Sequence, residues 1–237
     1  LPDKASTLNP NGRTVTIQVL QRLLDFMAAL RRKRFACRVL ELVAGHTVVR
    51  ADGRLQEGRP VLKLLDENAC YEALGDSLQK LVDYRSRVFP EDPPALAIEL
   101  EPGACLLRDW RSLEKLLQVV KSLPLTGVNV DIGHMIILGL DRPHLFEGPV
   151  KDYVVHSHIS DNARSHFADL PVGTWHPKEL FLKWLRSLHD HAAGESPCYQ
   201  GFLSVELESL GDVRRVAHTC AKVKRWLREI AVAQAGA

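Results

Sequence analysis

Short apolar runs alternate along this chain with segments whose apolar residues recur at helical intervals. Residues 14–33 carry the helical spacing, and the apolar run at 37–44, ended by Gly45, predicts a strand. Residues 46–65 are less regular, and the two apolar stretches that flank Asp52-Gly53 and Gly58 indicate a small hairpin or another ordered excursion. The helical pattern returns at 68–88 and ends before the prolines at 90, 93 and 94.

From residue 95 onward, predicted strands and helices alternate regularly. Strands are predicted at 95–101, 127–131, 152–158 and 202–207, and helices at about 110–122, 135–140, 177–192 and 212–232. Asp109 and Pro177 suit the starts of two of these helices. This alternation predicts a parallel sheet with right-handed crossovers.

Four of the five predicted strands end near residues that bind divalent metals. The runs lead into Glu99-Leu100-Glu101, Asp131, His156-Ser157-His158 and Glu206. Alternate strand residues share a face, so Glu99 and Glu101, His156 and His158, and Glu206 and Glu208 each give a deep and an outer candidate. Active sites of barrels lie at the carboxyl ends of the strands, so position alone favours the outer residue of each pair, including Glu208 over Glu206. Convergence of such residues at strand ends favours a (β/α)8 barrel, which needs eight strands, over an open sheet of five or six. Because the chain begins at Leu1, we expect the first strands to precede it or to be obscured.

The composition is that of an ordinary globular protein, and we expect one domain over residues 1–237. It is 46% hydrophobic and 25% charged, with a formal net charge of +2 that argues against a nucleic-acid groove. The five cysteines form no Cys-x-x-Cys pair, which favours a reducing, cytoplasmic location. No apolar run is long enough to span a membrane.

Several motifs, in their order and spacing, resemble the xylose isomerase-like barrel superfamily. They are Leu100-Glu101-Pro102-Gly103, Asp131-Ile132-Gly133-His134, His158-Ile159-Ser160-Asp161-Asn162, Leu170-Pro171-Val172-Gly173-Thr174 and Gly201 through Glu206. The superfamily holds sugar isomerases and epimerases, inosose dehydratases and endonuclease IV. The last motif places its Glu five residues after a Gly, and this register selects Glu206, with Glu208 as the alternative.

The resemblance implies one divalent ion, Mn²⁺, Mg²⁺, Co²⁺ or Zn²⁺. Its ligands would be Glu101, Asp131, His158 and Glu206. Glu101 and Glu206 would also transfer protons on a sugar or polyol through an enediolate, giving isomerisation, epimerisation or dehydration. His134, Asp161 and Trp175 are the candidate substrate-binding residues, and His134 has the alternative role of supporting Asp131. Trp175 replaces the second glycine of the usual Gly-x-Gly loop, while Asp161 has the alternative role of capping its loop.

Two other functions stay open. An endonuclease IV-like nuclease would need three zinc ions and an Asp-x-His after the seventh strand of the barrel, where this chain has Phe167-Ala168-Asp169. A barrel that binds metal or a small molecule without catalysis would follow from loss or rebuilding of the N-terminal strands. Exposed sheet edges in an incomplete barrel would favour a homo-oligomer.

Overall fold

The structure, a computed structural model, describes residues 9–56, 59–103, 105–139, 148–163, 169–193, 202–207 and 212–235. The chain forms two compact units, Leu1–Gly127 and Val128–Ala237. The expectation of a single domain stays a prediction. Within the described residues, no helix is both long and apolar enough to cross a bilayer.

The first unit packs three helices with a parallel strand pair and a hairpin. Its elements are α1 (Pro10–Arg32), β1 (Val39–Val43), β2 (Val48–Gln56), β3 (Arg59–Leu64), α2 (Glu67–Val88), β4 (Ala95–Glu99) and α3 (Trp110–Val120). Strands β1 and β4 run parallel, from Val39 opposite Ala95 to Val43 opposite Glu99. Strands β2 and β3 are antiparallel, which confirms the hairpin. Asp109 caps α3 in a reciprocal pair of hydrogen bonds with Ser112, as expected for this residue type.

The second unit contains three parallel strands and their helices. Its elements are β5 (Thr126–Asp131, which starts at the end of the first unit), α4 (Ile132–Ile137), a 3-10 helix (Gly148–Tyr153), β6 (Val154–Ile159), α5 (Lys178–Ala193), β7 (Leu203–Val205) and α6 (Val213–Ala235). Strand β6 pairs in parallel with both β5 and β7. Every residue of β5 and β6 is buried, so both faces are covered, as is usual for parallel strands.

Three predicted boundaries in the second unit are wrong. Helix α4 starts at Ile132 rather than near 135, because the Asp131 side chain accepts a hydrogen bond from the His134 amide and so begins the helix directly after β5. Residues 152 and 153 belong to the 3-10 helix, so β6 begins two residues later than expected. Strand β7 is three residues long, and Glu206 follows it.

Candidate metal centre

Three of the predicted ligands come together in the second unit. Asp131, His158 and Glu206 each offer a ligand atom, and these atoms lie within 4.8 Å of one another. His158 Nδ1 lies 2.6 Å from Glu206 Oε2 and 4.0 Å from Asp131 Oδ2. Metal bonds to oxygen and nitrogen of about 2.0–2.2 Å keep the ligand atoms of one ion within roughly 4.4 Å of each other. The distances from His158 Nδ1 to the two carboxylates fall within this limit, and the whole set lies within 4.8 Å, so small side-chain movements would let the three residues share a cation.

The strand pairing brings these side chains to the same end of the sheet. Asp131 is the last residue of β5 and pairs with His158 in β6. The Glu206 amide donates to the Ile159 carbonyl at 3.3 Å, which holds the residue after β7 beside the end of β6. The carboxyl ends of parallel strands meet at one edge, so residues far apart in sequence become neighbours there.

The two oxygens of Asp131 have different environments. Oδ1 accepts a hydrogen bond of 3.1 Å from the His134 amide and so caps α4. Oδ2 is buried and has no hydrogen-bond partner among the described residues. The nearest ring nitrogens of His134 and His158 are each 4.0 Å from it. An unpaired buried carboxylate oxygen is costly, and a cation at Oδ2 would relieve that cost. The donor set of this unit therefore fits a divalent metal.

Gly133 is the residue that permits this arrangement. A Cβ atom added there would lie 2.3 Å from Ser160 Oγ and 3.0 Å from Asp131 Oδ1. Neither oxygen could remain in place beside such a carbon. Asn162 Nδ2 also donates to the Gly133 carbonyl at 2.6 Å, tying α4 to the segment after β6. The glycine of the Asp-x-Gly-His motif thus allows the end of β6 to approach the Asp131 carboxylate closely.

The carboxylates of the cluster differ in proton affinity. Burial raises the pKa of Asp131 to about 6, the neighbouring Glu206 carboxylate adds to the shift, and the imidazoles of His134 and His158 oppose it. The pKa of Glu206 is lowered, chiefly by its hydrogen bond with His158, although burial opposes the shift. Glu206 is therefore ionised at neutral pH, and Asp131 carries its charge there at a cost that a cation would offset.

A second polar layer lies one strand position below the cluster. Asn129 and His156 precede Asp131 and His158 by two residues on β5 and β6, so each pair shares a face. His156 Nε2 lies 2.9 Å from Ser204 Oγ, and its ring stands edge-on to that of His158 with centroids 5.0 Å apart. Asn129 is fully buried. The sheet interior beneath the cluster is polar rather than aliphatic.

Asp161 organises the loop that carries Trp175. Its Oδ2 accepts hydrogen bonds from the amides of Thr174, Trp175 and His176 at 2.9, 2.8 and 3.1 Å. Its Oδ1 accepts from the Asn162 amide and lies 2.8 Å from His176 Nδ1. With its side chain completely buried, Asp161 has the contacts of the loop-capping alternative. Its substrate-binding role stays a prediction, as does that of Trp175, whose side chain is 65% exposed.

Asp169 is a site neighbour that the sequence analysis did not select. Burial raises the pKa of its carboxyl, the Glu206 carboxylate adds to the shift, and His134 and a hydrogen bond with Ser160 oppose it. Asp169 therefore lies within electrostatic range of two candidate site residues. The sequence offered one signal, the position of Asp169 directly before the loop motif that begins at Leu170. Asp169 stands there in place of the His of the nuclease Asp-x-His, and it was considered only as an argument against the nuclease function.

Glu101 lies in the first unit, two residues beyond the end of β4. It is half-buried, its amide donates to the Leu107 carbonyl at 2.9 Å, and Cys105 Sγ donates to its Oε2 at 3.4 Å. Glu99, the last residue of β4, is more deeply buried. The role of Glu101 as a ligand stays a prediction. Glu208, the alternative to Glu206, lies outside the described residues.

Solved structures resemble this chain, although no family model and no curated protein matches it. A D-tagatose 3-epimerase-like protein is 16% identical with a TM-score of 0.67, and the match covers 97% of this chain and 74% of the other. An L-ribulose 3-epimerase is 12% identical with a TM-score of 0.65 over 98% and 74% of the two chains. The IOLI protein, whose structure has a bound zinc atom, is 13% identical with a TM-score of 0.57 over 98% and 73%.

At these identities the matches establish the fold. They confirm the expected α/β class with the fold of a xylose isomerase-like TIM barrel. The chain spans about three quarters of the length of these structures.

Proposed function

We propose that this protein is a divalent-metal-dependent isomerase or epimerase acting on a sugar or polyol. The observation that supports it most strongly is the convergence of Asp131, His158 and Glu206 at the carboxyl ends of β5 to β7, where barrels of this fold class carry out their chemistry. The solved structures that resemble the chain include sugar epimerases, which favours the same reaction class.

Asp131 Oδ2, His158 Nδ1 and a Glu206 oxygen would hold the metal. Glu101 of the first unit is proposed as a further ligand from the sequence resemblance. Carboxylate oxygens with one imidazole suit Mn²⁺, Mg²⁺, Co²⁺ or Zn²⁺. The bound zinc in the IOLI protein makes zinc the first ion to test.

When bound, the ion would polarise a substrate carbonyl and its neighbouring hydroxyl, which acidifies the carbon-bound proton between them. Glu206 would take that proton as general base, through the carboxylate oxygen that does not hold the ion. The electron pair of the broken C–H bond would then form the enediolate. Return of the proton to the former carbonyl carbon would give the isomer. Return of a proton to the original carbon from its opposite face, the role proposed for Glu101, would give the epimer. Loss of a β-hydroxyl from the enediolate would give dehydration instead.

The candidate substrate-binding residues extend the site outward. Trp175 offers an exposed indole face suited to the apolar face of a sugar ring, and Asp161 fixes the backbone on which it stands. His134 lies next to Asp131 and is proposed to contact a substrate oxygen. A cytoplasmic location and a homo-oligomeric state stay predictions.

The test combines metal analysis with isotope exchange. Chelator-treated protein is titrated with Zn²⁺, Mn²⁺, Co²⁺ and Mg²⁺ in turn, and the loaded protein is incubated with ketopentoses, ketohexoses and inososes in D2O. We expect one ion per chain, an epimer or isomer by chromatography, and deuterium at the exchanged carbon by NMR. Glu206→Gln should abolish turnover and leave the fold intact. Glu179→Gln, on the exposed start of α5, is the matched control.

Three outcomes would contradict the proposal. Several zinc ions per chain with cleavage of abasic DNA would favour the nuclease alternative. One ion per chain with no exchange on any sugar would leave a non-catalytic metal-binding barrel. Full activity of Glu206→Gln would remove Glu206 from the chemistry.

A further inference from the structure

We propose that Trp175 binds a second sugar ring, so that the substrate of this site is a ketose or polyol joined to another sugar by a glycosidic bond. The inference rests on the proposed function, because it names the substrate class of the same site. It starts from the exposure of Trp175. Trp184 and Trp226 are buried, and Trp110 is 39% exposed. Trp175, the most exposed of the four tryptophans, stands at 65%.

The turn before Trp175 is held by helix α6. Residues Pro171 to Thr174 form a turn that is closed by a hydrogen bond of 3.1 Å from the Thr174 amide to the Pro171 carbonyl. Gly173, its third residue, has a φ of 74°, and a positive φ at that position favours glycine. Lys222 of α6 donates to the Val172 carbonyl at 2.8 Å, and the Val172 side chain is completely buried. The turn therefore has one fixed conformation.

Asp161 holds the same segment from the end of β6. Its buried carboxylate accepts a hydrogen bond of 2.8 Å from the Trp175 amide, so this backbone cannot move without leaving a buried acceptor short of a donor. The indole itself makes no hydrogen bond or ring contact with the described residues. A rigid backbone that presents an unused aromatic face is preorganised for a ligand, because binding costs little conformational entropy.

The distance from the cluster indicates which part of a ligand the indole meets. Trp175 belongs to the loop after β6, and such loops surround the active-site mouth of a (β/α)8 barrel. Asp161 is three residues beyond His158, a separation of about 10 Å in an extended chain. With carbon–carbon bonds of about 1.5 Å, a six-carbon chain spans only about 6 Å. A single ketose at the candidate cation position would end short of the indole, whereas a second ring joined to it would reach the indole.

The charges near the turn favour an uncharged ring over an anionic group. Lys222 and Lys178 each lie 5.8 Å from the centroid of Trp226, whose ring is close to Gly173. Both ammonium groups are already engaged, since Lys222 bonds to a carbonyl of the turn and Lys178 forms an ion pair of 2.6 Å with Glu229. A phosphate group would have to break these contacts. The apolar face of a sugar ring stacks on an indole without needing a charge.

The experiment compares wild type, Trp175→Ala and Trp175→Phe in the full, metal-loaded chain, with Trp110→Ala at the exposed start of α3 as the matched control. The substrates are fructose and its glycosylated forms turanose, maltulose, lactulose and isomaltulose, which carry the second ring on different hydroxyl groups. For wild type we expect the KM of at least one disaccharide to lie about 2- to 10-fold below that of fructose, the effect of one aromatic stack. Trp175→Ala should lose this advantage through KM rather than kcat, whereas Trp175→Phe and Trp110→Ala should keep it.

Selectivity separates binding of a second ring from a structural role. A residue that only supports the fold would, when removed, weaken the free and the glycosylated ketoses alike, and that result would overturn the proposal. Equal KM values for fructose and all four disaccharides in wild type would overturn it too.

Failure of this inference can be told apart from failure of the proposed function. A wild type that turns over free ketoses but no glycosylated form retains the proposed function and removes the second ring from the site. If the wild type turns over none of these sugars, their binding to metal-loaded wild type and Trp175→Ala is measured by calorimetry. Tighter binding of a disaccharide that Trp175→Ala loses would support the second-ring site, and equal binding or none would count against it.

Discussion

Replacing Asp131 by asparagine should stabilise the metal-free protein while abolishing its metal binding. Asparagine has nearly the same shape, and its amide oxygen can accept the His134 amide that caps α4. The change removes the charge that Asp131 would carry in a completely buried position. Charged groups at binding sites commonly destabilise the ligand-free protein. This substitution measures how much the Asp131 charge lowers the free energy of unfolding of the metal-free protein.

The size of the effect follows from the pKa. The Asp131 value rises from 3.8 to about 6, a difference of about 2 units. Each unit corresponds to about 1.4 kcal/mol, so the ionised side chain costs on the order of 3 kcal/mol. Between pH 4 and 6 the folded state binds more protons than the unfolded state, so the free energy of unfolding falls as pH rises through this window. The full cost is present above it.

The assay is urea unfolding of chelator-treated wild type and Asp131→Asn between pH 4 and 8, with Asp152→Asn on the exposed 3-10 helix as control. Chelation is needed because a bound ion would stabilise wild type selectively. We expect Asp131→Asn to equal wild type near pH 4 and to exceed it by about 3 kcal/mol above pH 7, with Asp152→Asn following wild type throughout. A wild type as stable as Asp131→Asn at pH 7.5, or an excess that does not depend on pH, would refute the reasoning.

Three further substitutions test other parts of the site. Gly133→Ala should cost about 1–3 kcal/mol of stability in urea, since its Cβ would displace Ser160 Oγ, and it should weaken metal binding at least about tenfold by calorimetry; unchanged affinity would contradict the close-approach explanation. Asp161→Ala should cost about 3 kcal/mol or more, because three loop amides lose their acceptor; a loss below about 1 kcal/mol would show that water replaces it. Trp175→Ala should raise the substrate KM about 2- to 10-fold with no change in melting temperature, and an unaltered KM would remove the indole from binding.

Periodicity alone predicted most of the elements correctly because their apolar faces are nearly complete. Strands β4, β5 and β6 are buried over their whole length, and the sequence shows each of them as a short run of mainly apolar or small residues that leads into a polar end. The start of α4 was predicted three residues late. Aspartate is a common residue before a helix, but Asp131 also ends the strand β5, and Gly133 in the first turn weakens the local helical pattern.

The sequence allowed prediction of the candidate site residues that lie at strand ends, because residue types that bind metals occur there. It did not allow prediction of residues that are positioned by loops. Asp131, His158 and Glu206 are residues of the first kind, and the strand pairing brings them together. Asp169 follows a segment of no recognisable periodicity, and the bridge between Asp161 and Leu170 that holds its neighbour is a tertiary contact that the sequence does not show. The loop-capping contacts of Asp161 were not predictable either, because the amides that donate to its carboxylate are thirteen to fifteen residues away in the sequence.

The two oxygens of Asp131 have different partners, so the His134 amide can report metal binding at the Asp131 carboxylate. Its proton bonds to Oδ1, and the candidate cation position lies at Oδ2 of the same carboxylate. Charge drawn toward Oδ2 would weaken acceptance at Oδ1, so ion loading should move the ¹⁵N–¹H resonance of residue 134 without any sugar present. Occupancy could then be followed in solution by a single backbone signal.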